Sequence, residues 1–423
     1  MIIFTIFLLT IFGIITWRNL ETGVLLLCAL LPSYLIRFSI AGIPTTLLEM
    51  MTLIVIIVWV LKKIKIAFLP PLNHSITLSL CLLLLAATIG IFVSPDKLAA
   101  IGVWKSFYIE PILMFFVVHD LLARSFDSAS SNATILKMTQ ENIFRALGIS
   151  ALFVSLFGLV QYFFSIGIPA PWDLERRITS LFEYPNALAL FLEPIIVISW
   201  FMIMKYAKTK PKEFWFWLTV STLATLNVFL AQSEAGIAAL IATAVCILLF
   251  SKNTRRQTVI SIVLASILLF AIPTSRNYLY EKLTFQDSSE QVRLSQWKET
   301  IELLKDHPIT GVGLSGYPIA LKPYHHDLQY EIFQYPHNIL LNIWVELGIL
   351  GLIAFSLLAF RLFPRRLSDL SDLSNLFPFL FLEILIHSLV DVPYFKNDLA
   401  MMTWILIACA ITYRPSRTPK SQS

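Results

Sequence analysis

Polar side chains interrupt two apolar stretches near the C-terminal end of this sequence at regular spacing. Two sets of three recur at every fourth position, namely Asn338, Asn342 and Glu346, and then Glu383, His387 and Asp391. On a helix, residues at that spacing share one face. A carboxylate, amide or imidazole is costly in an apolar medium, so each set predicts either a hydrogen-bond network between helices or a functional cavity.

His337 differs from these sets, because it stands where a long polar segment meets an apolar stretch. Arg176, Arg177 and Arg293 lie in polar segments that we assign below to the same side of a membrane. Guanidinium groups bind phosphate in bidentate geometry, and histidine accepts a proton near neutral pH. The combination predicts a phosphate-bearing lipid substrate and a proton transfer. The alternative is that the arginines only reach for lipid headgroups as anchors.

The elements that must position these residues are membrane helices. Apolar residues make up 57% of the 423 residues and charged residues only 14%, against about 25% charged in soluble domains. We predict an all-α, polytopic helical membrane protein with about twelve or thirteen transmembrane helices. The predicted spans are 2–16, 20–36, 45–61, 75–93, 100–122, 141–166, 181–204, 213–231, 235–250, 257–273, 337–360, 376–394 and 397–412.

The basic residues predict the orientation of these spans. Most of the 32 Lys and Arg fall in alternate connections, and short connections rich in Lys and Arg stay in the cytoplasm. The chain then divides into an N-terminal transmembrane bundle (1–273), an external segment (274–336), C-terminal transmembrane helices (337–412) and a cytoplasmic tail (413–423).

The external segment contains a predicted helix. It begins at a capping signal at Asp287 and ends at His307-Pro308. Its expected apolar face is formed by Leu294, Trp297, Ile301 and Leu304. Residues 311–316 spell GxGxxG, but they follow a helix rather than a strand, so no dinucleotide site is expected. No Cys/His group has metal-ligand spacing, and we expect no metal or cofactor.

Six short motifs follow one another in the last two thirds of the chain. They are PNALA at 185–189, RLSQW at 293–297, HPITGVG at 307–313, PHN at 336–338, ELG at 346–348 and HSLVD at 387–391. In order and spacing this series resembles the O-antigen ligase and O-antigen polymerase superfamily. The resemblance covers about residues 150–412, and the ordered set is far more specific than any single motif.

The resemblance implies an enzyme of the bacterial cytoplasmic membrane. Its members move a glycan from an undecaprenyl diphosphate carrier at the outer face, without metal or cofactor and with inversion at the anomeric carbon. His337 would be the general base and Arg293 would stabilise the departing diphosphate. Arg176 and Arg177 would also bind diphosphate, and the supporting residues would be Asn338, Glu346, His387 and Asp391. The expected partners are the lipid-linked donor, a lipid or glycan acceptor such as lipid A-core, and membrane lipids, with no nucleic acid.

One motif departs from the family pattern. Many members carry an Arg directly after a Ser, whereas Ser233 is followed here by Glu234. If that Arg holds the diphosphate, its role is vacant or has passed to Arg176 or Arg177.

Three alternatives to a ligase stay open. One is a polymerase of lipid-linked repeat units, which would use the same motifs. Another is a transporter or flippase with Glu383, His387 and Asp391 lining a path, although no inverted repeat is evident. The third is a structural membrane component without catalysis.

Overall fold

A computed structural model describes residues 2–40, 42–63, 72–127, 138–251, 253–283, 288–326, 330–362 and 375–413. Asp287, the tail beyond Tyr413 and several of the basic residues used for orientation lie outside the described residues. The structure is 77% helical. Within the ranges given above, the strands are β1 (Arg37–Ile40) and β2 (Ile43–Thr46), which form one antiparallel hairpin.

The helices follow the predicted spans closely. They are α1 (Ile2–Arg18), α2 (Leu20–Ala29), α3 (Leu47–Lys63), α4 (His74–Val93), α5 (Lys97–Val103), α6 (Glu110–Asp127), α7 (Gln140–Phe164), α8 (Pro185–Tyr206), α9 (Pro211–Leu230), α10 (Glu234–Phe250), α11 (Arg255–Ala271), α12 (Pro273–Leu283), α13 (Ser288–Asp306), α14 (Tyr317–Ala320), α15 (Ile339–Leu362), α16 (Leu376–His387) and α17 (Asn397–Thr412). A π-helical turn, Trp104–Ile109, joins α5 to α6.

The all-α polytopic membrane architecture is confirmed. In the described part of the chain, six helices are long and apolar enough to cross a bilayer, with α5, the π-helical turn and α6 counted as one. Five more apolar helices are shorter, namely α1, α2, α10, α16 and α17. The total of twelve or thirteen spans therefore stays a prediction, because several helices are shorter than the roughly 20 residues that cross the hydrocarbon layer.

Two predicted spans are wrong in extent. The span 20–36 is not one helix, because α2 ends at Ala29 and a 3-10 turn containing Pro32 leads into the β1–β2 hairpin. The span 376–394 ends early, because α16 stops at His387. After His387 the backbone bonds become those of turns, since Leu389 N–H donates to Ile386 O and Val390 N–H donates to His387 O. Pro393 then disfavours helical geometry at Val392, whose N–H donates to the Asp391 carboxylate.

Helix α8 lies in the middle of the protein, and 83% of the residues in its most apolar 18-residue stretch are buried. It packs against α7, α9, α10 and α16. Its side chains are therefore shielded from both water and lipid over most of its length, including the carboxylate of Glu193, which is 0% exposed. Any charge on this helix has to be compensated by neighbouring helices.

Helix α15 is broken at Gly348, where φ is 66° and ψ is −165°. The backbone of the preceding loop fills the break: Ile349 N–H donates to Ile309 O at 3.0 Å, and Val312 N–H donates to Val345 O at 2.7 Å. A Cβ on Gly348 would lie 2.1 Å from Ile309 O. Only glycine fits this position, because the left-handed conformation and the close contact both exclude a side chain.

The glycines of the GxGxxG segment serve the same packing. Leu314 N–H donates to Gly90 O at the end of α4, 3.2 Å away. A Cβ on Gly313 would lie 2.3 Å from the backbone nitrogen of Ser94. The segment is held between α4 and the break in α15, so its small residues allow backbones to approach each other.

The predicted helix in the 274–336 segment exists as α13, but its predicted apolar face is buried only in part, since Leu294 and Trp297 are half-buried. Leu304 is buried, whereas Ile301 is 48% exposed. Polar residues take the buried positions because they find partners: Thr300 Oγ1 lies 2.7 Å from Tyr317 Oη, and Glu299 Oε1 accepts the N–H of His326 at 2.9 Å. The buried side of the helix also contributes to an apolar cluster with the following loop and α15.

Candidate active site

The imidazole of His337 lies beside the carboxylate of Asp391. His337 Nδ1 is 3.4 Å from Asp391 Oδ1, and the His337 side chain is 23% exposed. His337 has φ of 45°, a left-handed conformation that is uncommon for a residue other than glycine. Such strained conformations concentrate at functional sites, where the surrounding structure has to hold them.

The backbone around His337 is held from two sides. On one side, Gln296 Nε2 donates to Tyr335 O at 3.1 Å, and Trp297 Nε1 donates to Pro336 O at 2.8 Å. Both donors belong to α13. On the other side, Asn338 Nδ2 donates to Leu389 O at 3.0 Å in the turn after α16. Helix α13 and the turn after α16 thus fix the position of the histidine together.

Aromatic rings border the imidazole. The ring of Tyr335 lies 4.9 Å from that of His337, and the ring of Phe333 lies 5.2 Å from it, both roughly edge to face. Rings at these distances restrict how the imidazole can turn. One part of the ring faces Asp391, and the side chain keeps some access to its surroundings.

Asp391 joins three of the motifs that lie far apart in the sequence. Besides His337, its carboxylate is approached by Asn186 Nδ2 at 3.5 Å and by Val392 N–H at 2.8 Å. Burial raises the pKa of Asp391, but the hydrogen bond and charge of His337, the charge of His387 and the Val392 N–H outweigh it. The net pKa lies below the ordinary range, so Asp391 is a carboxylate at neutral pH.

The polar set on α16 divides into two parts because the helix ends at His387. Asp391 lies in the following turn and meets His337, so the prediction that it shares a helical face with Glu383 and His387 is wrong. His387 Nδ1 instead lies 2.7 Å from Oε2 of Glu193 on α8. Glu193 was not among the predicted site residues, although its position among apolar residues of a predicted span was a signal.

Two polar residues of the first set, Asn338 and Glu346, stabilise the local structure. Asn338 caps the helix, because its Oδ1 accepts the N–H groups of Leu340 and Leu341 at 3.0 and 3.1 Å. Glu346 Oε1 accepts the N–H of Ser315 at 3.3 Å. Both side chains therefore help to hold the loop and the helix start on either side of His337.

Arg293 lies on α13 and is half-buried. Its positive charge acts electrostatically on His387, as does the negative charge of Asp391. The structure thus places Arg293 within electrostatic reach of His387 at the end of α16. Trp297, one turn further along α13, donates to the backbone next to His337, so one helix carries the arginine and supports the histidine.

Arg177 lies against the connection between α9 and α10. Its Nε donates to Ala231 O at 3.1 Å, its Nη2 donates to Gln232 O at 3.4 Å, and its guanidinium lies 4.9 Å from the centre of the Trp172 ring. This is the stretch where the family-typical arginine is replaced by Glu234. Arg176 is exposed and reaches Ser165 Oγ at 3.4 Å.

The fold and the site together define an integral, polytopic helical membrane protein with a histidine and carboxylate pair at the junction of a helical loop and two membrane helices. Residues 219–356 match the family model described as O-antigen ligase, and this match runs from α9 through the external segment into α15. This match supports the resemblance to the O-antigen ligase superfamily, and it supports glycosyl transfer of the ligase or polymerase type in general. The comparison with curated proteins returns no match.

Proposed function

We propose that this protein transfers a glycan from an undecaprenyl diphosphate carrier to an acceptor hydroxyl, with ligase activity favoured over polymerisation. The observation that carries the proposal is the 3.4 Å approach of His337 Nδ1 to Asp391 Oδ1. A carboxylate facing Nδ1 favours the tautomer with a proton on that atom and leaves Nε2 unprotonated. Nε2 is then the atom that accepts the proton of the acceptor hydroxyl.

The reaction on this view is a single displacement. The acceptor oxygen loses its proton to His337 Nε2 and forms a bond with the anomeric carbon, while the bond from that carbon to the diphosphate oxygen breaks. The diphosphate leaves as an anion on its polyprenyl chain, and attack from the opposite face inverts the anomeric carbon. No step needs a metal or cofactor, because the donor is already activated.

Arginines stabilise the negative charge of the departing diphosphate in this proposal. Cations directed at developing negative charge stabilise it most when they are held in position before the reaction. Arg293 on α13 is the first candidate, because its charge reaches His387 next to the histidine and carboxylate pair. Arg177 is the second, because its guanidinium lies against the 231–232 backbone where the family arginine is missing. Arg176 would bind diphosphate at the more exposed edge.

The location follows from the same proposal. The donor carries a hydrophobic polyprenyl chain, so the protein would act in the bacterial cytoplasmic membrane with residues 274–336 on the external side.

Deleting the gene tests both the reaction and the acceptor. Long glycans left on the lipid carrier would indicate a ligase, whereas single repeat units on the normal acceptor would indicate a polymerase. Unchanged surface glycan and carrier lipid would contradict the proposal.

A further inference from the structure

A second cluster of ionisable side chains lies in the interior, apart from His337. Glu193 on α8 meets Glu383 and His387 on α16, and the three residues are 0%, 1% and 1% exposed. Each offers one ligand atom within 4.8 Å of the others. His387 Nδ1 and Glu193 Oε2 are 2.7 Å apart. The sequence shows no such group, since only the packing of α8 on α16 brings the residues together.

Several polar atoms of this cluster have no hydrogen-bond partner in the described part of the chain. They are Glu193 Oε1, Glu383 Oε2, His387 Nε2 and Ser233 Oγ, and Ser233 is 1% exposed. A Cβ placed on Gly236 would lie 2.0 Å from Glu193 Oε1 and 3.2 Å from Ser233 Oγ. The hydroxyl therefore faces the same small space as the carboxylate, and that space exists because residue 236 is glycine.

The two buried carboxylates of the cluster need a compensating positive charge. Two neighbouring carboxylates out of water are strongly unfavourable unless they are neutralised or paired. Besides Glu193 of the cluster itself, the full charges that act on His387 are Arg293 and Asp391, which are opposite in sign. Neither of these two charges neutralises the glutamates, so with His387 neutral the compensation has to come from a proton shared by Glu193 and Glu383 or from a cation. A divalent ion with neutral His387 would bring the net charge of the cluster to zero.

We propose that Glu193, Glu383 and His387 bind one divalent transition-metal ion, with Zn²⁺ as the best fit. An imidazole nitrogen and carboxylate oxygens are among the ligands that this ion accepts, and a fourth position is left for Ser233 Oγ or water. The ion would join α8 to α16 immediately before the turn that carries Asp391. It is a structural site and lies outside the transfer step, so the inference is independent of the proposed function.

Cobalt substitution in the purified full-length protein tests this site. The protein is stripped with a chelator in detergent and titrated with Co²⁺, whose visible absorption reports four-coordinate N/O ligation, and bound metal is measured by mass spectrometry. We expect one ion per chain in the wild type. Glu193→Gln and Glu383→Gln should bind at least about tenfold more weakly. The matched control is Glu346→Gln, which alters a buried glutamate outside the cluster and should bind like the wild type.

A further variant keeps the test decisive if a glutamine variant fails to fold. His387→Cys replaces the imidazole with a thiolate, and a new sulfur-to-cobalt charge-transfer band in the near ultraviolet would identify position 387 as a ligand. Equal binding by the wild type and both glutamine variants would overturn the proposal. So would a wild type that binds no Co²⁺ and shows the infrared band of a protonated carboxylic acid that disappears in Glu383→Gln, because the two glutamates would then share a proton instead.

Discussion

His337 Nδ1 lies 3.4 Å from Asp391 Oδ1, and this contact joins the loop before α15 to the turn after α16. The Asp391 carboxylate also accepts a hydrogen bond from the side-chain amide of Asn186 at the start of α8, so one carboxylate connects three distant segments. The contact fixes which nitrogen of the imidazole faces the protein. The other nitrogen, Nε2, is left for chemistry, and this division is the basis of the predictions on activity.

Replacing Asp391 with Asn should lower the rate of glycan transfer while the protein still inserts and folds. Asn is nearly isosteric but carries no charge, so it would no longer favour a proton on His337 Nδ1. Loss of about 1.5 to 3 kcal/mol of interaction with a charged partner corresponds to a loss of roughly 10- to 100-fold in rate. The rate is measured with purified enzyme and lipid-linked donor. A rate equal to that of the wild type would contradict the orienting role of Asp391.

The stability of the same variant gives a separate measure of Asp391. Its pKa is lowered in the folded protein, so its contribution to stability is complete above the ordinary carboxyl pKa of about 3.9 and is lost only as the pH falls through the lower folded value. The wild type should therefore unfold at a higher temperature than Asp391→Asn throughout the neutral range. The difference should shrink only in strong acid.

His337→Ala should reduce transfer by about 10²- to 10⁴-fold, the usual contribution of a general base. The backbone at this position is left-handed, so the variant also needs a test of folding. Thermal unfolding and size-exclusion profiles close to those of the wild type would separate a loss of chemistry from a loss of structure. A well-folded variant with undiminished transfer would rule out His337 as the base.

Arg293→Lys should lower transfer strongly although it keeps the charge. Lysine lacks the planar fork that binds diphosphate through two parallel hydrogen bonds. Loss of a donor to developing negative charge costs about 10²- to 10³-fold in rate. The matched control is Lys298→Arg, an exposed residue further along α13, which should leave the rate unchanged. If the two variants behave alike, Arg293 does not bind the diphosphate through its fork.

Arg177 and Arg176 are neighbours with different surroundings, so their substitution to Gln is a matched pair. Arg177 donates to Ala231 O and Gln232 O, whereas Arg176 is exposed, reaches Ser165 Oγ at 3.4 Å and lies 5.8 Å from the centre of the Tyr162 ring. We expect Arg177→Gln to reduce transfer more than Arg176→Gln and to lower the unfolding temperature as well. The comparison is made from donor turnover at saturating and limiting donor concentrations. A larger loss in Arg176→Gln would mean that the diphosphate lies at the exposed edge of the loop.

Gly348→Ala should destabilise the protein, because the new Cβ would lie 2.1 Å from Ile309 O. The left-handed backbone at this position adds about 1 to 3 kcal/mol of strain for a residue with a side chain. The control is Gly102→Ala, where a Cβ meets nothing within 4 Å. Thermal unfolding in detergent should show a clear decrease for the first variant and almost none for the second. Equal unfolding temperatures would mean that the loop does not fill the break in α15.

The sequence by itself determined the class of protein and the position of most helices. Apolar runs long enough to cross a membrane can be recognised from adjacent residues alone. The same holds for helix α13, which ends next to His307-Pro308 as its sequence predicts. The ordered motifs also pointed to the superfamily whose family model residues 219–356 match. His337 could be singled out because it stands at the junction of a polar segment and an apolar span.

Only the tertiary structure decided which polar side chains meet. Asp391 does not lie on the predicted helical face, because α16 ends at His387, and it pairs with His337 instead. Glu193 joined His387 because α8 packs on α16. Helix length and hydrophobicity are properties of adjacent residues and can be read along the chain. The partner of a buried charge is set by which helices pack together, and that depends on contacts between residues far apart in sequence.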